Sequence, residues 1–148
     1  AGDAAALGIP LTPVGISQAR IAVENILVPG SATFSPAVTP SVVFSNPPLA
    51  AVGLTEQQAE EAGLDVEVKL SDMTGWASSR RVGLRVARAK TIVERGTDRI
   101  VGAHVLGHGA EEVVNVFAAA ITGGLTATDL KRVLWAYPTA SSEIVYLL

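Results

Sequence analysis

"VGLRVARAKTIVERGTDRIVGAHVLG", residues 82–107, decides the fold. It reads as a strand, a tight polar turn at Gly96-Thr97-Asp98 and a returning strand, the pattern of a β-hairpin. The hairpin is expected at the centre of a sheet. Upstream, "DVEVKLSDM" alternates Val66, Val68 and Leu70 against Glu67, Lys69 and Ser71, which puts the apolar residues on one face of a half-buried strand. An antiparallel sheet is the simplest arrangement for such neighbours. Downstream, Gly107-His108-Gly109 turns the chain into "AEEVVNVFAAAITGG". There Val113, Val116, Phe117, Ala120 and Ile121 form one helical stripe, widened by Val114 and Ala118. So wide a stripe predicts burial against two surfaces.

Shorter elements surround this centre. "SVVFSN" is a short β run stopped by Asn46-Pro47-Pro48. Thr55 and Gln58 have capping-box spacing, Leu54 and Ala59 stand where a hydrophobic staple would, and Gly63 is a natural stop. Thr126 with Asp129 opens a last helix, expected to run through Leu130, Val133 and Leu134 until Pro138 prevents its continuation. Near the start, Thr12-Pro13 is a helix opening, with the threonine as cap and proline at the first helical position. Ile16, Ala19, Val23, Ile26 and Leu27 then recur at helical spacing before Pro29-Gly30. The Pro, Ser and Thr-rich "VPGSATFSPAVTP" reads as a connector, with a boundary near Ala37. Strands gathered around a hairpin, with helices packed over them, define an α+β class.

Composition restricts the chemistry. The 148 residues contain no cysteine, so disulfides, thiolate chemistry and Cys-based metal sites are excluded within the chain. The hydrophobic set is 49% and charged residues only 17%, with a mean hydropathy of +0.39, so extra buried surface between subunits is expected. A formal net charge of −3 offers no footprint for nucleic acid. "VVNVFAAAITGGL" is shorter than the ~20 residues of a membrane span, and the opening "AGDAAALGIP" has no basic region like that of a signal peptide. A soluble cytoplasmic protein is the expectation.

Several residues could carry chemistry, each with a plainer alternative. "GHGAEE" resembles part of a phosphate loop, but Glu111 and Glu112 would occupy the helix start where an anion should bind; a sharp turn with acids favouring the helix dipole is the simpler reading. His104 and His108 have a spacing used for metals on helices, yet one falls in a strand and the other in a turn. Trp76 and Trp135 read as packing or interface anchors. Arg80 and Arg81 are either solvated or set against a carboxylate of a partner chain. In "AGD", the glycine lets backbone approach a ligand, and Asp3 can accept hydrogen bonds from ribose-like hydroxyls or from its own turn.

Six segments in order, "AGD", "LTPVGISQARIAVENIL", "PSVVFSNPPLAAVGLTEQQA", "TDRIVGAHVLGHGAEEVVNVFAAAI", "GLTATDL" and "YPTASSE", resemble the C-terminal portion of the pyridine nucleotide-disulfide oxidoreductases. That flavoprotein family includes glutathione reductase, dihydrolipoamide dehydrogenase and mercuric reductase. The resemblance implies that residues 1–37 are the last segment of an FAD-binding domain plus linker, and that residues 38–148 are a dimerisation domain. It implies that Asp3 contacts FAD, and that the helix start at Leu11 and Thr12 points at the flavin, where a helix N-terminus stabilises negative charge on the reduced ring. The glycine fingerprints, the body of the FAD domain, the NAD(P)-binding domain and a redox cysteine pair are missing from these residues. The expectation is therefore a fragment, or a module inherited without its catalytic half, that forms a homodimer. FAD and NAD(P)H would belong to the parent enzyme.

In the disulfide-reducing members an HPTxxE motif supplies a histidine and a glutamate to the partner's active site. Here Tyr137 replaces the histidine, Ser142 stands at the glutamate position and Glu143 follows one residue later. A phenol, which titrates near ~10, exchanges protons poorly at pH 7, whereas an imidazole at ~6.5 exchanges them readily. Tyr137 and Glu143 are the remaining catalytic candidates, in an alternative where Tyr137 takes the histidine's place in an active flavin oxidoreductase. Otherwise Tyr137 packs at a dimer seam.

Overall fold

The computed structural model describes residues 1–5, 8–35 and 38–148 and divides them into two compact units, Ala1–Thr39 and Pro40–Leu148. Ala37, where the sequence places a boundary, lies outside the described residues.

In the first unit, a 3-10 turn at Gly2–Ala4 precedes the helix α1 (Thr12–Leu27). Leu11, with extended backbone, is the capping residue and makes no side-chain cap bond, so the helix starts one residue earlier than Thr12 capping would place it. Pro13 is accommodated because amides in the first turn have no helical acceptor. Val14 and Gln18 are buried, while Ile16, Val23, Ile26 and Leu27 of the predicted apolar stripe are exposed.

The second unit is a five-stranded sheet in the order β1-β2-β5-β4-β3. Its strands are β1 (Ser41–Val43), β2 (Leu49–Gly53), β3 (Val66–Asp72), β4 (Arg88–Glu94) and β5 (Ile100–Leu106). All neighbours are antiparallel, as expected, and β5 from the hairpin is central. The hairpin's first strand begins at Arg88, six residues later than its apolar residues suggest. Its turn uses positive φ at Gly96 and Asp98.

Paired residues on neighbouring antiparallel strands point to the same face. Ala50, Val52, Ala89, Thr91, Ala103 and Val105 share one face and are buried. Over it lies α4 (Ala110–Gly123), whose Val113, Val114, Phe117 and Ala120 are buried and whose Val116, Ala118 and Ile121 are partly covered. The predicted stripe is therefore the core face. The helix ends where Gly124 adopts positive φ, letting the Leu125 amide reach back to the Ala120 carbonyl.

On the opposite face, α2 (Glu56–Glu61) carries the predicted capping box: Thr55 accepts from the Gln58 amide, and Gln58 accepts from the Thr55 amide. Ile92 is fully buried there, whereas Leu70, toward the end of the edge strand β3, is 69% exposed. The alternation of β3 is as read, but its apolar side faces away from α4, and Ser71 is the buried residue on the α4 side. Gly102 permits close packing of the chain after β2, since a Cβ there would stand 2.1 Å from the Leu54 carbonyl oxygen.

Three short elements complete the unit: α3 (Ala77–Arg81), α5 (Ala127–Arg132) and α6 (Ile144–Leu147), the last preceded by a 3-10 turn at Ser141–Glu143. The capping box Thr126 with Asp129 opens α5. The helix stops at Arg132 instead of running through Val133 and Leu134. The Trp135 indole N–H donates to the Leu130 carbonyl, taking the acceptor that a further helical turn would need, and Val133 is extended. Among the described residues, no helix is long and apolar enough to cross a membrane.

Candidate functional site

The two residues singled out at the chain's end line one cleft. It has an empty volume of about 370 Å3 and lies between α3 and the turn that contains the cis Tyr137-Pro138 bond. Ala77, Ser78 and Arg81 form one wall; Tyr137, Pro138, Thr139, Ser142 and Glu143 form the other.

The turn is held by its own small hydroxyls. Ser142 Oγ donates to the Thr139 carbonyl at 2.6 Å, and Thr139 Oγ1 donates to the Ala136 carbonyl at 2.7 Å while accepting from the Ser142 amide. Ser142, at the position where the resembling family has glutamate, thus closes the turn.

Glu143 takes its contacts from the opposite wall. Its Oε1 accepts from the Ser78 amide at 3.2 Å and its Oε2 from the Ser78 hydroxyl at 2.6 Å. Both carboxylate oxygens are committed to the start of α3. Tyr137 is 80% exposed and makes no hydrogen bond among the described residues. The geometry brings Tyr137 and Glu143 to one cleft without joining them as a hydrogen-bonded acid and base. Ser78 was missed by sequence reasoning, because a five-residue helix has no periodicity to reveal it; a serine at the second position of a short helical turn is the only signal.

Other candidates fall apart spatially or serve packing. His104 lies on β5 and donates through Nε2 to the Leu54 carbonyl at 3.1 Å, whereas His108 is exposed in the following turn. Among the described residues no group of three or more His, Cys, Asp or Glu could hold a metal ion. In the glycine turn, Gly109 has φ +74° and a Cβ would stand 2.9 Å from the Ala140 Cβ, so its glycine serves close packing. Trp76 meets Tyr146 edge to face at 5.9 Å, and Arg80 and Arg81 are exposed.

At the first unit, Gly2 has φ +69°, its amide donates to Gln18 Oε1 at 2.7 Å, and a Cβ on Gly15 would approach the Gly2 Cα to 3.3 Å. The AGD turn therefore lies against the first turns of α1. Asp3 is exposed and has no hydrogen bond or ion pair among the described residues, and the first turn of α1 contains no acid. An open helix start and a free carboxylate beside a glycine fit a group that offers hydroxyls and negative charge. One loop and one helix end cover too little of FAD to hold it.

A five-stranded antiparallel sheet with an apolar helix laid across it and short helices at its margins is an α+β domain. Residues 39–148 match the family described as pyridine nucleotide-disulphide oxidoreductase, dimerisation domain, and the chain belongs to that family. It is 38% identical, over its whole length and 83% of the relative's, to an uncharacterized 19.7 kDa protein in mercuric resistance operon of Staphylococcus aureus. It is also 38% identical to mycothione reductase of Mycobacterium tuberculosis, over 91% of this chain and 30% of the relative's. The solved structure of the HOCl-induced flavoprotein disulfide reductase RclA from Escherichia coli superposes with a TM-score of 0.83 and 27% identity, covering 94% of this chain and 32% of that one. The chain thus spans most of the staphylococcal protein and about a third or less of the two reductases. The family and fold class read from the six motifs are borne out.

Proposed function

We propose that the chain is a homodimerising module serving an FAD- and NAD(P)H-dependent oxidoreductase, and that flavin and nicotinamide chemistry belong to domains outside these residues. One observation carries the reading. In a chain that bears the family's dimerisation domain, the segment after α5 holds Leu134 99% exposed and Tyr137 80% exposed, beside Val133 and Pro138. A contiguous apolar loop standing in water marks a surface that association covers.

The relevant occupant is a second copy, related by two-fold symmetry. Tyr137 then packs at the seam, and Glu143 holds α3 against the turn that presents it. FAD, when supplied by its own domain, meets this chain at Asp3, Leu11 and Thr12. The cytoplasm is the proposed location.

Light scattering on the eluting 148-residue chain at micromolar concentration tests the assembly: a dimer is expected, and a persistent monomer overturns it. Absorbance in the flavin region, together with oxidation of NADH or NADPH by the purified chain alone, would overturn the division of labour.

A further inference from the structure

The two edges of the sheet are built differently. At one edge, β1 is three residues long and is soon cut off by Pro47-Pro48. At the other, β3 has seven residues, no proline and a regular register with β4 along its whole length. The devices that keep an edge from pairing with another chain, a short strand, a proline or a bulge, are thus present at β1 and absent from β3.

The pairing with β4 fixes which backbone groups β3 leaves open. At the two ends of that ladder the Arg95 amide donates to the Asp65 carbonyl and the Met73 amide to the Ala87 carbonyl. Hydrogen-bonded pairs alternate along an antiparallel ladder, so the odd-numbered residues of β3 face β4, while Val66, Val68, Leu70 and Asp72 turn amide and carbonyl outward. Among the described residues none of these outward groups has a partner. The side chains of the first three lie on the face away from α4, with Leu70 69% exposed and Val66 and Val68 half-buried. α5 stands beside this edge. Its Lys131 lines one cavity with Glu67 and Lys69, and the exposed Leu134 follows three residues later, within about 11 Å along the chain.

We propose that β3 pairs antiparallel with β3 of a second copy about a two-fold axis at Val68, joining the two five-stranded sheets into one continuous sheet. The strand's own sequence selects that register. With Val68 opposite the partner's Val68, Val66 lies opposite the partner's Leu70 and covers it, and Glu67 lies opposite the partner's Lys69, twice by symmetry. An axis at Glu67 or at Lys69 sets like charges against each other, and an axis at Leu70 sets Asp72 against Val68. Neither charge is consumed within its own chain: Glu67 lies 3.4 Å from Arg95, and Lys69 gives one of its three ammonium hydrogens to the Leu148 carbonyl. This inference rests on the homodimer proposed above and names the strand that forms it, with the loop after α5 close to the same seam.

The outward Val68 amide makes no bond within the chain, so Val68→Pro spares the ladder with β4 and removes both bonds of the central pair of the seam. In light scattering it should raise the dimer dissociation constant at least about tenfold, with circular dichroism unchanged. Glu67→Lys and Lys69→Glu should each weaken the dimer at least about threefold, and the double variant Glu67→Lys/Lys69→Glu should restore it. Cross-linking reads the register separately. The parent has no cysteine, and Cα atoms of facing residues in a non-hydrogen-bonded pair are about 4.5 Å apart, within disulfide reach. Glu67→Cys mixed with Lys69→Cys should therefore cross-link on oxidation faster than either variant alone, and this result decides the matter should Val68→Pro fail to fold. A dimer indifferent to a folded Val68→Pro, a double variant no tighter than the single ones, or a mixture that cross-links no faster than its components would overturn the β3 seam while leaving the homodimer intact. A parent chain that is monomeric at every concentration would overturn the homodimer, and the seam with it.

Discussion

Glu143 shows how far motif spacing carries at the scale of one residue. Counting from Tyr137-Pro138-Thr139 locates a carboxylate one position late, and chemistry alone leaves it a candidate for proton transfer. The structure gives it another task, because both of its oxygens accept from Ser78 and tie α3 to the cis-proline turn. Spacing along the chain could not supply that contact, which joins residues 65 apart. Glu143→Gln turns one carboxylate oxygen into an amide nitrogen that meets a donor where an acceptor is needed. Hydrogen bonds to a charged group contribute about 1.5–3 kcal/mol, so the expected loss in urea denaturation falls in that range. Ser78→Ala should give a similar loss. In a double-mutant cycle the two losses should combine to less than their sum, as for residues in direct contact; strict additivity would separate the pair.

Elements differed in legibility according to whether local chemistry or tertiary contact defines them. The starts of α2 and α5 were readable, since a threonine and an acid or amide three residues later satisfy two amides reciprocally whatever lies nearby. By contrast, β2 was not foreseen: "LAAVG" has neither alternation nor β-branched enrichment, and it is a strand because β5 and β1 pair with it on either side. The end of α5 was misjudged because its terminator, the Trp135 indole, lies beyond the helix.

The start of α5 carries a pH dependence whose sign is fixed. The Thr128 hydroxyl and amide bind Asp98, and the Thr126 amide and hydroxyl bind Asp129; both carboxyls are held below their usual pKa. Asp72 is lowered likewise, first by the Thr74 amide and hydroxyl and then by Arg88. The unfolded chain therefore binds more protons than the native one at acid pH. These contributions are fully present above an unfolded carboxylate pKa of ~3.9 and are lost as pH falls through the depressed values. The urea midpoint should fall below about pH 4, and Asp98→Asn/Asp129→Asn should flatten that part of the curve. Thr126→Ala removes the cap itself and should cost about 1 kcal/mol at neutral pH.

For the whole molecule, periodicity identified faces but could not say what covers them. The stripe on α4 is buried by the sheet, whereas the equally regular stripe on α1 leaves Ile26 78% exposed. Sequence patterns encode which residues share a side; what covers that side is set by contacts distant in sequence, which the pattern does not contain. The two units should accordingly differ in stability. Ala1–Thr39 has one long helix with Val14 and Gln18 as its buried side chains among the described residues, far too little to offset the ordering of its backbone. Pro40–Leu148 has a sheet and the helix α4 around Phe117, Ile92 and Val52. Local opening free energies follow such differences, from near zero in poorly packed segments to the global value in core strands. In native-state hydrogen exchange, amides of α1 should therefore be protected at least about 100-fold less than those of β4 and β5. Equal protection in the isolated chain would mean that association already covers α1.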